Sequence, residues 1–310
     1  MPPPEARASP PTWATRTPFV TSPVMTPRQL LKVPLDGRFR VPADAEVSSD
    51  PAAYAICSLC HGPAAPGRRR CWSCMVVAGQ LGSLPPVVPL FLFGLGSPAH
   101  RALVGYKAAV TPAGRSAWHG ALSELFARWL NDHAACLVGS QPDALLVPVP
   151  SSSGGRSSWQ GRHPLEEVCR SATGLGDGFR LAPVLGPGAT SPRRLRARSD
   201  GFSVTDPDAV DGHTLVVVDD MFVSGARSLS AAAVLRGAGA QVAAVVPLGR
   251  LVRADHNAAT AAFWAARTAP FDPSRCCRCV TSVRPVPAHG ANRASAWPRR
   301  LYAVSERLAA

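Results

Sequence analysis

An α/β protein built on a parallel sheet, carrying a small four-cysteine module near its N-terminus, is the fold the sequence predicts. Three observations lead there. Apolar runs without polar alternation, LLVPV near residue 147, LVVV at 215–218 and VAAVVPL at 242–248, have the pattern of strands buried on both faces. Helical periodicities alternate with these runs, as they do where parallel strands are joined by right-handed crossovers. Ahead of them stand two Cys-x-x-Cys pairs, Cys57/Cys60 and Cys71/Cys74.

Composition bounds the reading. The chain has 310 residues, 46% of them hydrophobic and 17% charged, enough for one sizeable domain with appendages. Residues 1–50 are rich in Pro, Ser and Ala and read as disordered; 51–82 hold the cysteine module, 83–253 the main domain, and 254–310 a partly helical, then flexible extension. The net charge is +13, and Lys32 and Lys107 are the only lysines among 33 basic residues. Such a charge draws phosphate-bearing partners in general, nucleotide-type substrate and nucleic acid alike. The opening MPPPEARASPPTWATRTP lacks the apolar core of a secretory signal, and the longest apolar run, 87–96, is half of the ~20 residues a spanning helix needs. A cytoplasmic protein without membrane insertion is expected. Its nine cysteines then point to metal or free thiols rather than disulfides.

Taken in order, residues 87–106 contain an opening strand. Trp118, Leu122, Leu125, Phe126, Trp129 and Leu130 share one face of a helix over 116–132. A buried strand spans 144–149, ending at Pro150, and Pro164 opens a short helix over 163–172. Phe179 to Leu185 reads as one short strand, and GPGATSPRRLRARSD as a long mobile loop. The motif strand 215–218, a helix over 226–236 with Gly239 near its C-cap, and a strand over 241–248 follow. HNAATAAFWAAR near residue 260 is a last helix.

Two constellations carry chemistry. In LVVVDDMFVSGARS the apolar strand runs into Asp219 and Asp220, then a small-residue loop, then a helix. That order puts carboxylates at the carboxyl end of a sheet strand, where open α/β sheets bind ligands. The loop amides and the helix N-terminus beyond them make an anion site. Acids that accept from vicinal hydroxyls, beside amides that hold a phosphate, suit a phosphorylated sugar; acids capping the helix or pairing with arginine are the plainer alternative. The cysteine pairs, ten residues apart, can complete a tetrahedral site for structural Zn²⁺, with iron–sulfur ligation or four unrelated thiols as alternatives. Cys276, Cys277 and Cys279 lack an obvious fourth ligand, His289 being the nearest, and read as reduced thiols at a domain edge. Cys136 and Cys169 read as core.

The stretch 215–228 resembles the phosphoribosyl-pyrophosphate motif of type I phosphoribosyltransferases. With CSLC…CWSC, VGYKAAVTPAGRSAWHGALSELFARWL and LLVPVPSSSGGR ahead of it, residues 55–250 resemble the ComF-type, competence-associated phosphoribosyltransferase-like family. The resemblance implies a type I phosphoribosyltransferase (Rossmann-like) core with a small N-terminal zinc ribbon. It implies that Asp219 and Asp220 bind the ribose hydroxyls as the catalytic acids, and that Ser224, Gly225, Ala226, Arg227 and Ser228 hold the 5′-phosphate. Ser151 and Arg156 then belong to a pyrophosphate loop, and Arg193, Arg194, Arg196 and Arg198 to a hood over the site. The implied reaction displaces pyrophosphate from phosphoribosyl pyrophosphate with Mg²⁺, making the protein a pentosyltransferase. The family's hydroxyl positions fall here on Val223, Ser224 and Arg227, so one hydroxyl is kept. Two other readings stand beside this one: an inactive phosphosugar-binding or regulatory protein linked to DNA uptake and the competence machinery, and a basic protein binding single-stranded DNA.

Overall fold

A computed structural model describes residues 55–108, 112–139, 141, 143–151, 163–174, 178–266 and 273–281. The Pro-rich N-terminal segment, Arg156, His289 and the basic C-terminal tail lie outside the described residues.

The cysteine module comes first, with β1 (Ala55–Ile56) paired antiparallel to β2 (Pro63–Ala64) and α1 (Trp72–Leu81) starting directly after Cys71. The main domain runs β3 (Phe91–Gly94), α2 (Pro98–Ala108), α3 (Pro112–Val138), β4 (Ala144–Pro148), α4 (Pro164–Thr173) and β5 (Phe179–Leu181). It continues through β6 (Leu185–Pro187), β7 (Phe202–Val204), β8 (Thr214–Phe222), α5 (Ala226–Gly237), β9 (Gln241–Val252), α6 (Ala258–Ala265) and α7 (Cys277–Thr281). The expected parallel α/β architecture is present. Five strands form one sheet in the order β3–β9–β8–β4–β5, and every pairing is parallel.

Alternation along the strands sends side chains into two separate cores. Leu146, Val216, Val218, Ala244 and Val246 pack on one face with Trp129 and Phe126 of α3 and Leu165 of α4. Leu145, Val147, Leu215, Val217 and Val245 pack on the other with Leu229 and Leu235 of α5 and the four N-terminal cysteines. Burial on both faces explains why β4, β8 and β9 read as unbroken apolar runs. From β4 the chain moves outward to β5, then returns past β4 to β8 and on to β9. The carboxyl ends of β4 and β8 therefore flank the point where the winding reverses, the place such sheets hold ligands.

Several boundaries differ from the sequence expectation. The 116–132 helix extends over Pro112–Val138 because small and helix-favouring residues continue on both sides of its apolar core. Its first residue is a proline, which a helix tolerates there. The motif strand does not stop at its acids: β8 continues to Phe222 because β9 runs equally far and offers partners, Asp219 opposite Pro247 and Phe222 opposite Arg250. The single strand expected over 179–185 is two, and the breaker-rich stretch after it is the ordered loop of a short β-ribbon. Its arms are β6 and β7, which pair antiparallel, with Arg193 bridged to Arg196 at the tip. Leu185 and Phe202 anchor the ribbon in the second core, a non-local gain that local periodicity does not register. Among the described residues no helix is long and apolar enough to cross a membrane.

Candidate functional site

A cavity of about 630 Å³ opens where β4 and β8 end. Asp219 and Asp220 form its floor, residues 223–228 one wall, and Val149, Pro150 and Ser151 the facing wall. Lys107, at the end of α2, and Ser191, Pro192, Arg193 and Arg194, at the tip of the ribbon, complete it. Val149 N–H donates to the Val218 carbonyl at 2.8 Å, so the two walls share one ladder up to the rim.

Both carboxylates are buried, yet they are held differently. Asp220 forms an ion pair with Lys107 and accepts a 3.3 Å hydrogen bond from the Tyr106 hydroxyl. Burial alone would raise its carboxyl, but the Lys107 ammonium outweighs burial and holds it below the usual carboxylate range. Asp219 accepts from the backbone N–H of Asp220 at 3.0 Å. Burial first, then the negative charge of Asp220, push its carboxyl up to about 7. One acid is therefore ionised and its neighbour sits near the balance point, the arrangement expected of two carboxyls crowded into one site. Tyr106 is held well above its ordinary value by burial and then by both acids, so its hydroxyl stays a donor.

The loop after β8 turns on Gly225, whose φ of +80° lies in the left-handed region. A Cβ there would strain the backbone and run into the Phe222 ring. Gly225 is also the N-cap of α5, so the first-turn amides of that helix face the cavity wall. Ser224 Oγ lies 3.4 Å from the N–H groups of Leu195 and Ala226, linking loop, ribbon tip and helix. Ser228 is 1% exposed and its hydroxyl meets no partner among the described residues, an orphan that an anion in the cavity would satisfy. Arg227 donates to the Pro150 carbonyl and stacks 5.3 Å from the Phe202 ring centre. It ties the two walls to the ribbon across the mouth of the cavity. The exposed Arg193 and Arg194 give the rim positive charge, whereas Arg196 and Arg198 do not line it.

Cys57, Cys60, Cys71 and Cys74 come together as expected, all buried, with their sulfurs within 4.8 Å of one another. Cys60 and Cys71 Sγ are 3.7 Å apart, close to the ~3.8 Å edge of a tetrahedron with Zn–S bonds near 2.3 Å. The donor set fits structural zinc. The module leans on the site through Arg250, which is buried beside Cys60 and donates to the carbonyls of Phe222 and Val223 at 3.1 and 3.0 Å.

Of the residues singled out in the sequence, Asp219, Asp220, Ser151 and Ser224 through Ser228 line one cavity. Arg156 lies outside the described residues. Lys107, Tyr106 and Pro150 carry roles not foreseen. Lys107 did leave a trace: it is one of two lysines in a chain that otherwise uses arginine, and a compact ammonium fits a crowded carboxylate where a guanidinium fork does not. The expectation for the remaining cysteines is corrected. Cys136 and Cys169 pack with the first core as expected, but Cys276 and Cys277 are buried in that core rather than at a domain edge, and Cys136, Cys276 and Cys279 gather there with His133.

No protein-family model and no curated protein matches the sequence. A solved structure described as that of the allosteric regulatory enzyme of purine biosynthesis aligns over 47% of this chain and 29% of its own, with 19% identity and a TM-score of 0.31. That degree of likeness is too low to establish a shared fold.

Proposed function

We propose that this chain is a ComF-like phosphoribosyltransferase that binds phosphoribosyl pyrophosphate and transfers its phosphoribosyl group to an acceptor, releasing pyrophosphate. One observation carries the reading: a buried aspartate pair and a loop ending at a helix N-terminus share a single cavity at the reversal point of a parallel sheet. Either feature alone has an ordinary structural explanation. Together they match the two ends of a phosphorylated ribose.

In this reading Asp219 and Asp220 accept from the vicinal ribose hydroxyls, and Lys107 keeps Asp220 ionised for that purpose. The 5′-phosphate lies against Ser224 to Ser228, where the helix N-terminus and the unpartnered Ser228 hydroxyl receive it. Pyrophosphate extends toward Ser151 under the cationic rim of Arg193 and Arg194. The bond from the anomeric carbon to pyrophosphate breaks as a bond from an acceptor nitrogen forms. The oxocarbenium character of that displacement leaves the protein mainly positional and electrostatic work. The oxygen-only donors of the aspartate pair fit a hard cation, and Mg²⁺, when bound with the substrate, supplies charge neutralisation on the leaving pyrophosphate.

A second reading has a specific observation behind it. Val223 stands at a hydroxyl position of the phosphoribosyltransferase motif, and the Arg227 guanidinium, though it lines the cavity, is engaged by the Pro150 carbonyl. A cradle short of two hydroxyl donors favours binding without turnover, and so a regulatory protein, of the kind the family resemblance associates with DNA uptake. Pyrophosphate release in the presence of Mg²⁺ and a panel of nitrogenous acceptors separates the two. Release by the wild type and none by Asp219→Asn/Asp220→Asn is the expected outcome. No release with any acceptor, in a protein that still binds phosphoribosyl pyrophosphate, would replace the transferase with the binding protein.

A further inference from the structure

We propose a second structural metal site, for zinc, built from His133, Cys136, Cys276 and Cys279. Their ligand atoms all lie within 4.8 Å of one another. His133 and Cys136 are three residues apart near the C-terminal end of α3 and so project from one face of the helix. Cys276 precedes α7 and Cys279 lies within it, a Cys-x-x-Cys pair at a helix start. Cys71 and Cys74 occupy the same positions on α1. Two short-spaced pairs from segments 140 residues apart in sequence, converging on one point, make a Cys₃His donor set of the kind structural zinc takes.

The geometry around the imidazole supports ligation. His133 Nδ1 lies 3.1 Å from Cys279 Sγ and faces the cluster. Nε2 is 2.8 Å from the Pro273 carbonyl and donates to it, which leaves Nδ1 as the nitrogen with a lone pair toward the sulfurs. A ring fixed by a backbone carbonyl on its far nitrogen is the usual support of a metal-bound histidine. The Trp129 ring, 5.0 Å away centre to centre, holds the imidazole from a second side.

A disulfide is the chief competitor. Cys279 Sγ is 3.0 Å from Cys136 Sγ and 3.2 Å from Cys276 Sγ, far beyond the ~2.05 Å of an S–S bond. Three thiols also converge on one point, whereas a disulfide joins only two. A tetrahedral zinc would spread these sulfurs by roughly 0.6 to 0.8 Å.

The role that follows is a clamp. α7 has five residues, too few to hold its shape alone. The metal would pin it to α3 on the sheet face opposite the N-terminal module. One metal would then lock each face of the sheet. The inference is independent of the substrate.

Native mass spectrometry and elemental analysis of the full chain, purified under reducing conditions, test it. Two zinc ions per chain are expected, falling to one in Cys276→Ser/Cys279→Ser and also to one in Cys57→Ser/Cys60→Ser. His133→Cys keeps a complete donor set and should retain two. Because the wild type is counted too, a variant that fails to fold does not hide the answer. One zinc per chain in the wild type, unchanged by Cys276→Ser/Cys279→Ser, would overturn the site. So would a Cys136–Cys279 or Cys276–Cys279 disulfide found by non-reducing peptide mapping.

Discussion

Asp219 is the residue whose behaviour the site fixes most sharply. Burial and the charge of Asp220 keep it protonated to about pH 7, while its neighbour is held ionised by Lys107. A neutral carboxyl is a poorer acceptor for sugar hydroxyls than a carboxylate, since charge-assisted hydrogen bonds are about twice as strong. Affinity for phosphoribosyl pyrophosphate should therefore rise between pH 6 and 8 and then level, and Asp219→Asn should flatten that rise. Calorimetric titrations across this range check it; a wild-type profile as flat as that of the variant would refute the assignment. The same shift acts on stability with the opposite sign. An unfolded aspartate titrates near ~3.9, so between there and about 7 the folded chain holds the extra proton and loses stability as pH rises. At this scale the acids and Gly225 were legible in the sequence, because strand, acids, small residues and helix are consecutive. Lys107 and Tyr106 were not, since they reach Asp220 from more than a hundred residues away.

At the scale of elements, the ribbon β6–β7 is the part local pattern misjudged. Gly, Pro and Arg between short apolar pieces read as a mobile loop, yet the ribbon is docked at both flanks. The Ala197 N–H donates to Gln80 Oε1 of α1 at 2.6 Å, Gln80 Nε2 donates to the Leu195 carbonyl at 3.0 Å, and the Arg198 N–H donates to Ser230 Oγ of α5 at 2.8 Å. None of these partners is near in sequence, so no window over 185–204 contains the reason for its order. The central strands, by contrast, were legible because burial on both faces writes their identity into consecutive residues. Removing the bond to Gln80 should free the ribbon without unfolding the sheet. In Gln80→Ala, a cost of about 1 kcal/mol is expected. Amide exchange at Ala197 should speed up by several-fold while Val216 to Val218 stay protected; uniform exchange across the chain, unchanged from wild type, would contradict the docking.

At the scale of the molecule, a sheet with two separate cores carries a cysteine cluster on each face, and the aspartate-floored cavity lies at its carboxyl edge between them. The N-terminal cluster was readable because its four ligands fall within eighteen residues. The second was not, because His133 and Cys136 lie inside a helix whose other residues explain it as core. Arg250 shows why the first module sits where it does. A Cβ on Gly62 would come within 2.7 Å of its guanidinium, so the module's backbone lies close against the arginine that holds the Phe222 and Val223 carbonyls at the start of the loop after β8. Cysteine cluster, arginine and loop thus form one stack beneath the cavity.

Isothermal titration of the metal-loaded protein with phosphoribosyl pyrophosphate and Mg²⁺, wild type against Asp219→Asn/Asp220→Asn, tests the central claim most directly. At pH 8, where both carboxyls are ionised, two charge-assisted hydrogen-bond acceptors at about 1.5 kcal/mol each predict saturable one-to-one binding that weakens about a hundredfold in the variant. Heats that are absent in the wild type, or identical in the two proteins, would contradict it.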